Sequence, residues 1–172
     1  MLSKRLVFVG ALRAALLVCA AAGSGQTTVN PNAKACQLLS VPELEAHFGG
    51  KAISVRGSDT STVSMCSVRV KDMRHEATAQ LNAPSPASQA LTPQQRLEFF
   101  ANGGIKLSET KVFGSIGCFK TSAPLDKPLP STGCFLSDAK GYTAVTIASD
   151  DSKQTSYEVV KALLEKSAAR RK

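Results

Sequence analysis

Helical and strand periods alternate along this chain, separated by short polar turns. Ser40-Val41-Pro42-Glu43 opens the first helical period: Ser40 is placed to cap, and Glu43 follows three residues on. Pro42 falls in the first turn, where no intrahelical N–H partner is lost. Leu44 and Phe48 share one face and Gly49-Gly50 supplies a left-handed stop, so the spacing predicts a helix over 41–48. Ala52 to Arg56 can form a strand, and the polar run from Gly57 to Ser61 reads as a turn. Thr62 to Lys71 alternates, with Val63 and Met65 and then Val68 and Val70, which predicts a strand with Arg74 to Leu81 as its hairpin partner.

Asn82 to Ala90 holds two prolines and two serines and reads as a loop. Thr92-Pro93-Gln94-Gln95 starts a second helix, with Leu97, Phe99 and Phe100 as apolar surface and Asn102-Gly103-Gly104 as its end. Strand patterns follow near 105–113, 117–121, 133–138 and 142–149, of which Tyr142 to Ile147 is the richest in β-formers. Ser152 to Ala169 is predicted as the last helix, with Val159, Val160, Leu163 and Leu164 as its stripe and a cationic end suited to the helix dipole. Together these predict an α+β fold: a curved, mostly antiparallel sheet of about five or six strands, two short helices and a longer C-terminal helix. The helices are expected on one face of the sheet.

The N-terminus follows a different pattern. Lys4 and Arg5 precede an apolar run from Leu6 to Ala22 that only Arg13 interrupts, and small residues from Ala20 to Gly25 offer cleavage sites. This is the layout of a secretory signal over residues 1–25, and the run is marginal as a membrane span, which takes roughly 20 residues. A retained anchor is one alternative. A lipoprotein acylated at Cys19 is another, although Val18 stands where a lipobox has a small residue. The expected organisation is a signal at 1–25, a flexible leader at 26–35, a single domain at 36–169 and a basic tail at 170–172.

The 172-residue chain carries a formal charge of +8. Removing residues 1–25 takes away Lys4, Arg5 and Arg13 and no acid, which lowers it to +5. The body is mildly basic and lacks a Lys/Arg stripe interleaved with aromatics, which argues against nucleic-acid binding. Membrane contact is expected only if Cys19 is acylated or the signal is retained.

Beyond Cys19 stand Cys36, Cys66, Cys118 and Cys134. Four cysteines in a small exported domain read as two disulfides, and three pairings exist. Cys118 and Cys134 sit in matching Gly-Cys-Phe settings on either side of a stretch containing Pro124, Pro128 and Pro130. That reads as a hairpin stapled near its base, which favours Cys118–Cys134 and leaves Cys36–Cys66 to tie the start of helix 1 to the sheet. The alternative is four buried thiols acting as small hydrophobes.

Reactive motifs are absent. His47 and His75 belong to no HExxH or HxH pattern, and His75 and Glu76 on one strand would face opposite ways, so no metal is expected. No Cys-x-x-Cys, Gly-x-Ser-x-Gly, P-loop or dinucleotide fingerprint occurs, and no cofactor is expected. Asp150-Asp151 is read as favouring the N-terminus of the last helix. The loop residues Pro124, Leu125, Asp126, Lys127 and Pro128 are the candidate recognition segment, because a stapled, proline-stiffened loop costs little entropy to order on binding.

The stretch Cys36-Gln37-Leu38-Leu39-Ser40-Val41-Pro42-Glu43, ending its helix at Gly49, with a strand cysteine at Cys66 and the turn Gly114-Ser115-Ile116-Gly117, resembles a group of bacterial exported and lipoprotein domains of unknown function. Ser67 stands where those domains often carry Trp, and Cys118 where they carry Asp. The resemblance implies a curved antiparallel sheet with helices and a binding or sensing role in the envelope. The expected function is thus an exported, non-catalytic binding or interaction domain, with a protein or small ligand of the envelope as partner. A hydrolase with an unrecognised site and an envelope structural or inhibitory protein are the alternatives.

Overall fold

The computed structural model describes residues 30–71, 75–89, 91–121 and 129–171. A 3-10 turn, η1 (Lys34–Gln37), precedes helix α1 (Val41–Phe48) and strands β1 (Ala52–Asp59), β2 (Val63–Val70) and β3 (His75–Asn82). The single turn α2 (Pro86–Gln89) and helix α3 (Pro93–Asn102) follow. Then come β4 (Leu107–Phe113), β5 (Ile116–Thr121), β6 (Ser131–Asp138), β7 (Gly141–Ser149) and helix α4 (Tyr157–Ala169). The strands form one sheet in the order β1-β2-β3-β7-β6-β5-β4, and every neighbouring pair is antiparallel.

Seven strands exceed the five or six predicted. Each of the seven falls on a strand pattern read from the sequence, and all of them, both edges included, pair into the one sheet. An edge strand meets one neighbour, so its burial pattern is weak, and β4 is exposed at five of its seven positions. The sheet is two meanders, β1-β2-β3 and β4-β5-β6-β7, joined by β3 against β7. The hairpin turns follow local chemistry. Gly114 has φ 61° at the first position of the two-residue β4–β5 turn, as a type II′ hairpin requires. At the β6–β7 turn, Asp138 Oδ1 accepts from Lys140 N at 2.9 Å.

Both short helices have the predicted caps. Ser40 Oγ accepts from Glu43 N, and Gly49 closes α1 in the left-handed region. Thr92 and Gln95 form a reciprocal capping box at α3. The last helix starts later than predicted, at Tyr157 with Ser156 as cap. Residues 152–155 are turns, because Asp151 Oδ1 accepts from Lys153 N and Ser149 Oγ accepts from Asp151 N. Asp151 therefore caps a turn rather than favouring the N-terminus of α4. The 82–90 loop contains one helical turn, α2.

The helices lie on both faces, not one. Leu44 and Phe48 of α1, Ala35 of η1 and Val160 and Leu164 of α4 pack on Cys66, Val68, Val70, Ala77, Ala79, Cys118, Cys134, Val145 and Ile147. On the opposite face, Leu97 and Phe100 of α3 pack on Phe119, Phe135 and Tyr142. Alternation along β5 and β6 places Cys118 and Cys134 on the first face and Phe119 and Phe135 on the second. Phe99, expected in the apolar surface, is 64% exposed.

The two disulfides join Cys36 to Cys66 and Cys118 to Cys134. The Gly-Cys-Phe repeat has a geometric reason. In the β5–β6 register Gly117 faces Phe135, Cys118 faces Cys134 and Phe119 faces Gly133. Each phenyl ring lies over the glycine of the other strand, where an added Cβ would collide with the Phe135 ring at one site and the Phe119 ring at the other.

Candidate functional site

A groove of about 530 Å³ opens at one end of the sheet. The β1–β2 turn, the end of β3 and the β6–β7 turn all reach that end. Thr60 to Ser64 form one wall, Leu81 to Pro84 a second, Lys34, Gln37 and Leu38 a third, and Lys140, Arg170 and Arg171 close it. These positions span most of the described chain, and no motif links them.

The N-terminal wall is held by backbone chemistry. Asn30 N donates to Gly57 O at 2.9 Å, Lys34 N to Asp59 Oδ1 at 3.2 Å, and Ala35 N to Ser64 Oγ at 2.7 Å. Gly57 is required there, since an added Cβ would collide with Asn30 O and come within 2.8 Å of Cys36 Sγ. The Cys36–Cys66 disulfide fixes η1 from below. Ala33 and Ala35 are fully buried. Ala33 and Ala35 are therefore part of the packed fold, which begins before Cys36, inside the stretch 26–35 expected as a flexible leader.

The C-terminal wall is equally built in. Arg170 donates to Leu38 O at 2.8 Å and to Glu43 Oε2 at 2.6 Å. Arg171 grips Asp138 with both terminal guanidinium nitrogens, and it is 8% exposed. Lys140 Nζ donates to Arg171 O at 3.3 Å. Arg170 and Arg171, expected as part of a basic tail, tie α4 to α1 and to the β6–β7 turn.

These ion pairs set the local electrostatics. The hydrogen bond from Arg170, with the charges of Arg170 and Lys166, holds the Glu43 carboxyl below the usual range despite some burial. Burial pushes the Asp138 carboxyl up, but Arg171, the Lys140 N–H and both their charges outweigh it and hold it below the usual range. The nearby carboxylates are thus engaged at the margins, and no Asp or Glu lines the groove among the described residues. Lys34 and Lys140 make no ion pair with any described residue.

The histidines lie elsewhere. His75 begins β3, and six residues of strand, about 20 Å, separate it from Leu81. Its ring stacks on Phe48 at 5.3 Å, and its Nδ1 lies 2.9 Å from Ser149 Oγ. His75 is 7% exposed and Ser149 is fully buried, so this Ser–His contact is an interior tie with no surface for a substrate. Glu76 faces the other way, onto Ser67 and Arg69. His47 packs edge-on against Phe48 at 4.8 Å. No group of three His, Cys, Asp or Glu that could hold a metal occurs among the described residues.

Pro124, Leu125, Asp126, Lys127 and Pro128 lie outside the described residues, as does Cys19. The groove itself escaped sequence reasoning. Its only linear signals are the hydroxyl run Thr60-Ser61-Thr62 and the terminal arginines, which stand more than a hundred residues apart. No family model, curated protein or solved structure matches the chain.

Proposed function

We propose that this protein is an exported, non-catalytic binding domain of the bacterial envelope that takes a ligand in the groove at the end of its sheet. The observation that carries the reading is the groove's construction. Its walls are pinned by a disulfide, the buried hydrogen bond from Ala35 N to Ser64 Oγ and two arginine–carboxylate pairs, while its surface offers hydrogen-bonding groups and cations without a nucleophile–base pair. A site held this rigidly lowers the entropy lost on binding. Two disulfides and the signal-like N-terminus support export. No helix among the described residues is long and apolar enough to cross a membrane. The Cys-x-Leu-Leu-Ser opening adds its resemblance to exported domains.

Two measurements test this. Mass spectrometry of the protein expressed in a bacterium should find a processed N-terminus and both disulfides in the envelope fraction; an unprocessed, reduced cytoplasmic protein overturns export. A thermal-shift screen of small molecules on the oxidised protein, with hits mapped by amide chemical shifts, should locate binding at Lys34, Thr60 to Ser64 and Lys140. Turnover of any substrate that depends on His75 or Ser149 would favour the hydrolase instead.

A further inference from the structure

We infer that the groove's ligand is a small, hydroxylated, non-aromatic anion, with a carboxylate or phosphate held between Lys34 and Lys140. This deepens the binding reading above and rests on it.

Charge is the first argument. Four cationic residues line the groove, and no carboxylate does among the described residues. Arg170 and Arg171 are committed to Glu43 and Asp138, so their role is to hold the walls. Lys34 and Lys140 are exposed and make no ion pair with a carboxylate among the described residues, and they reach the lining from two separate segments, η1 and the β6–β7 turn. An anion there meets attraction without breaking a salt bridge of either lysine; Lys140 Nζ has a single long hydrogen bond, to Arg171 O at 3.3 Å, and keeps further donors to offer.

Hydrogen bonding is the second. Gln80 Nε2 donates to Asn82 Oδ1 at 2.8 Å, which leaves the Asn82 amide N–H groups as donors. Ser64 Oγ accepts from Ala35 N, which leaves its own proton to donate. The hydroxyls of Ser61 and Thr62 and the amide of Gln37 add neutral groups that can donate or accept. This set matches a ligand that carries hydroxyls beside its charge.

The third argument is what the lining lacks. It contains no Phe, Tyr or Trp, so a nucleobase or other aromatic ring would have no stacking surface. Its apolar part is Leu38, Val63, Leu81 and Pro84, enough to cover the back of a saturated ring or short chain. A volume of about 530 Å³ fits a small molecule. Sugar acids and sugar phosphates share this chemistry.

The test is an amide chemical-shift titration of the oxidised protein at low salt with three probes: glucuronate, inorganic phosphate and glucose. The inference expects saturable shifts at Lys34, Ser61 to Ser64 and Lys140 with at least one anion, at a Kd below about 10 mM and at least about tenfold tighter than glucose. Binding of glucuronate alone assigns a carboxylate, and of phosphate alone a phosphoryl group. A K34Q/K140Q variant, in which both changes are exposed, should keep its remaining spectrum and weaken anion binding about fivefold or more. Glucose binding as tightly as the anions overturns the inference while leaving the groove a binding site. Anion shifts that fall elsewhere, persist unchanged in the variant or are absent overturn it as well. A neutral hit from the thermal-shift screen mapping to the groove would separate failure of the anion assignment from failure of the binding reading.

Discussion

Side chains along β2 and β3 alternate between a buried face and an open one, whereas those of β5 and β6 are covered on both faces. In β2, Ser64, Cys66, Val68 and Val70 are buried, and Met65 between them is 48% exposed. In β6, Thr132, Gly133, Cys134 and Phe135 are buried in succession. The difference comes from α3, which packs over β5 to β7, and over β4 at Leu107, on the face that β1 to β3 leave to solvent. Under α3, Phe135 meets Phe100 at 5.4 Å and Tyr142 at 5.9 Å, and the buried Arg96 lies over the Tyr142 ring at 5.1 Å. On the open side the neighbours are polar: Ser67 and Arg69 both bond to Glu76 across β2 and β3.

The halves are stapled to suit. The β1–β3 half uses its disulfide to hold η1, a segment outside the sheet. The β5–β6 half puts its disulfide between residues already paired in register. One staple positions a wall of the groove, and the other reinforces the sheet itself.

The sharpest way to break this contrast is Phe135→Ala. The ring is 1% exposed and fills the space over Gly117, so its removal should cost about 4 kcal/mol in urea denaturation. A loss under about 1 kcal/mol would mean that α3 does not form a second core. Next come the disulfides. By loop-closure entropy, Cys36→Ala with Cys66→Ala should cost about 3.5 kcal/mol and the Cys118/Cys134 pair about 3. Hydrogen exchange separates them better than stability does. Only the first variant should expose the amides of Asn30, Ala33 and Cys36, and equal exposure in both would erase the difference in role.

How far the halves were legible follows the same division. In β2 and β3 one face is solvated, so polarity alternates and the strands can be read directly. The alternation predicted the strand but not which face is buried at its start: Ser64 and Cys66 take the buried side there, and Met65 faces outward. The Gly-Cys-Phe repeat exposed the β5–β6 pairing because an antiparallel register brings identical triplets face to face. The second core was not legible: strand alternation puts Phe135 opposite Cys134, but α3 and β6 lie nearly thirty residues apart and nothing local shows that α3 covers that second face. The caps of α1 and α3 were visible because capping is local chemistry. The groove was not, because its walls come from five separate segments and its arginines act through long-range pairs with Glu43 and Asp138.

Those pairs give a smaller, pH-dependent effect. Asp138 has its carboxyl below the usual range when folded, so its contribution is present above the unfolded value of about 4 and is lost as pH falls through the folded one. Asp138→Asn should cost about 1–2 kcal/mol at neutral pH, a value reduced for the partial exposure of the carboxylate. The gap between variant and parent should close on acidification. A gap that widens would show that the aspartate does not stabilise the fold through its charge.

The smallest expected effect probes the open face itself. Met65 projects from β2 with Ser58 of β1 and Gln80 of β3 as its register partners, and about half of it stays open to solvent. Met65→Lys should therefore change stability by no more than about 0.5 kcal/mol, at a site where the matching change under α3 would be severe. A loss above about 1.5 kcal/mol, or one that grows with protein concentration, would mean that a second copy covers this face in solution. The sheet would then be two-sided along its whole width, and the contrast between the halves would belong to the monomer alone.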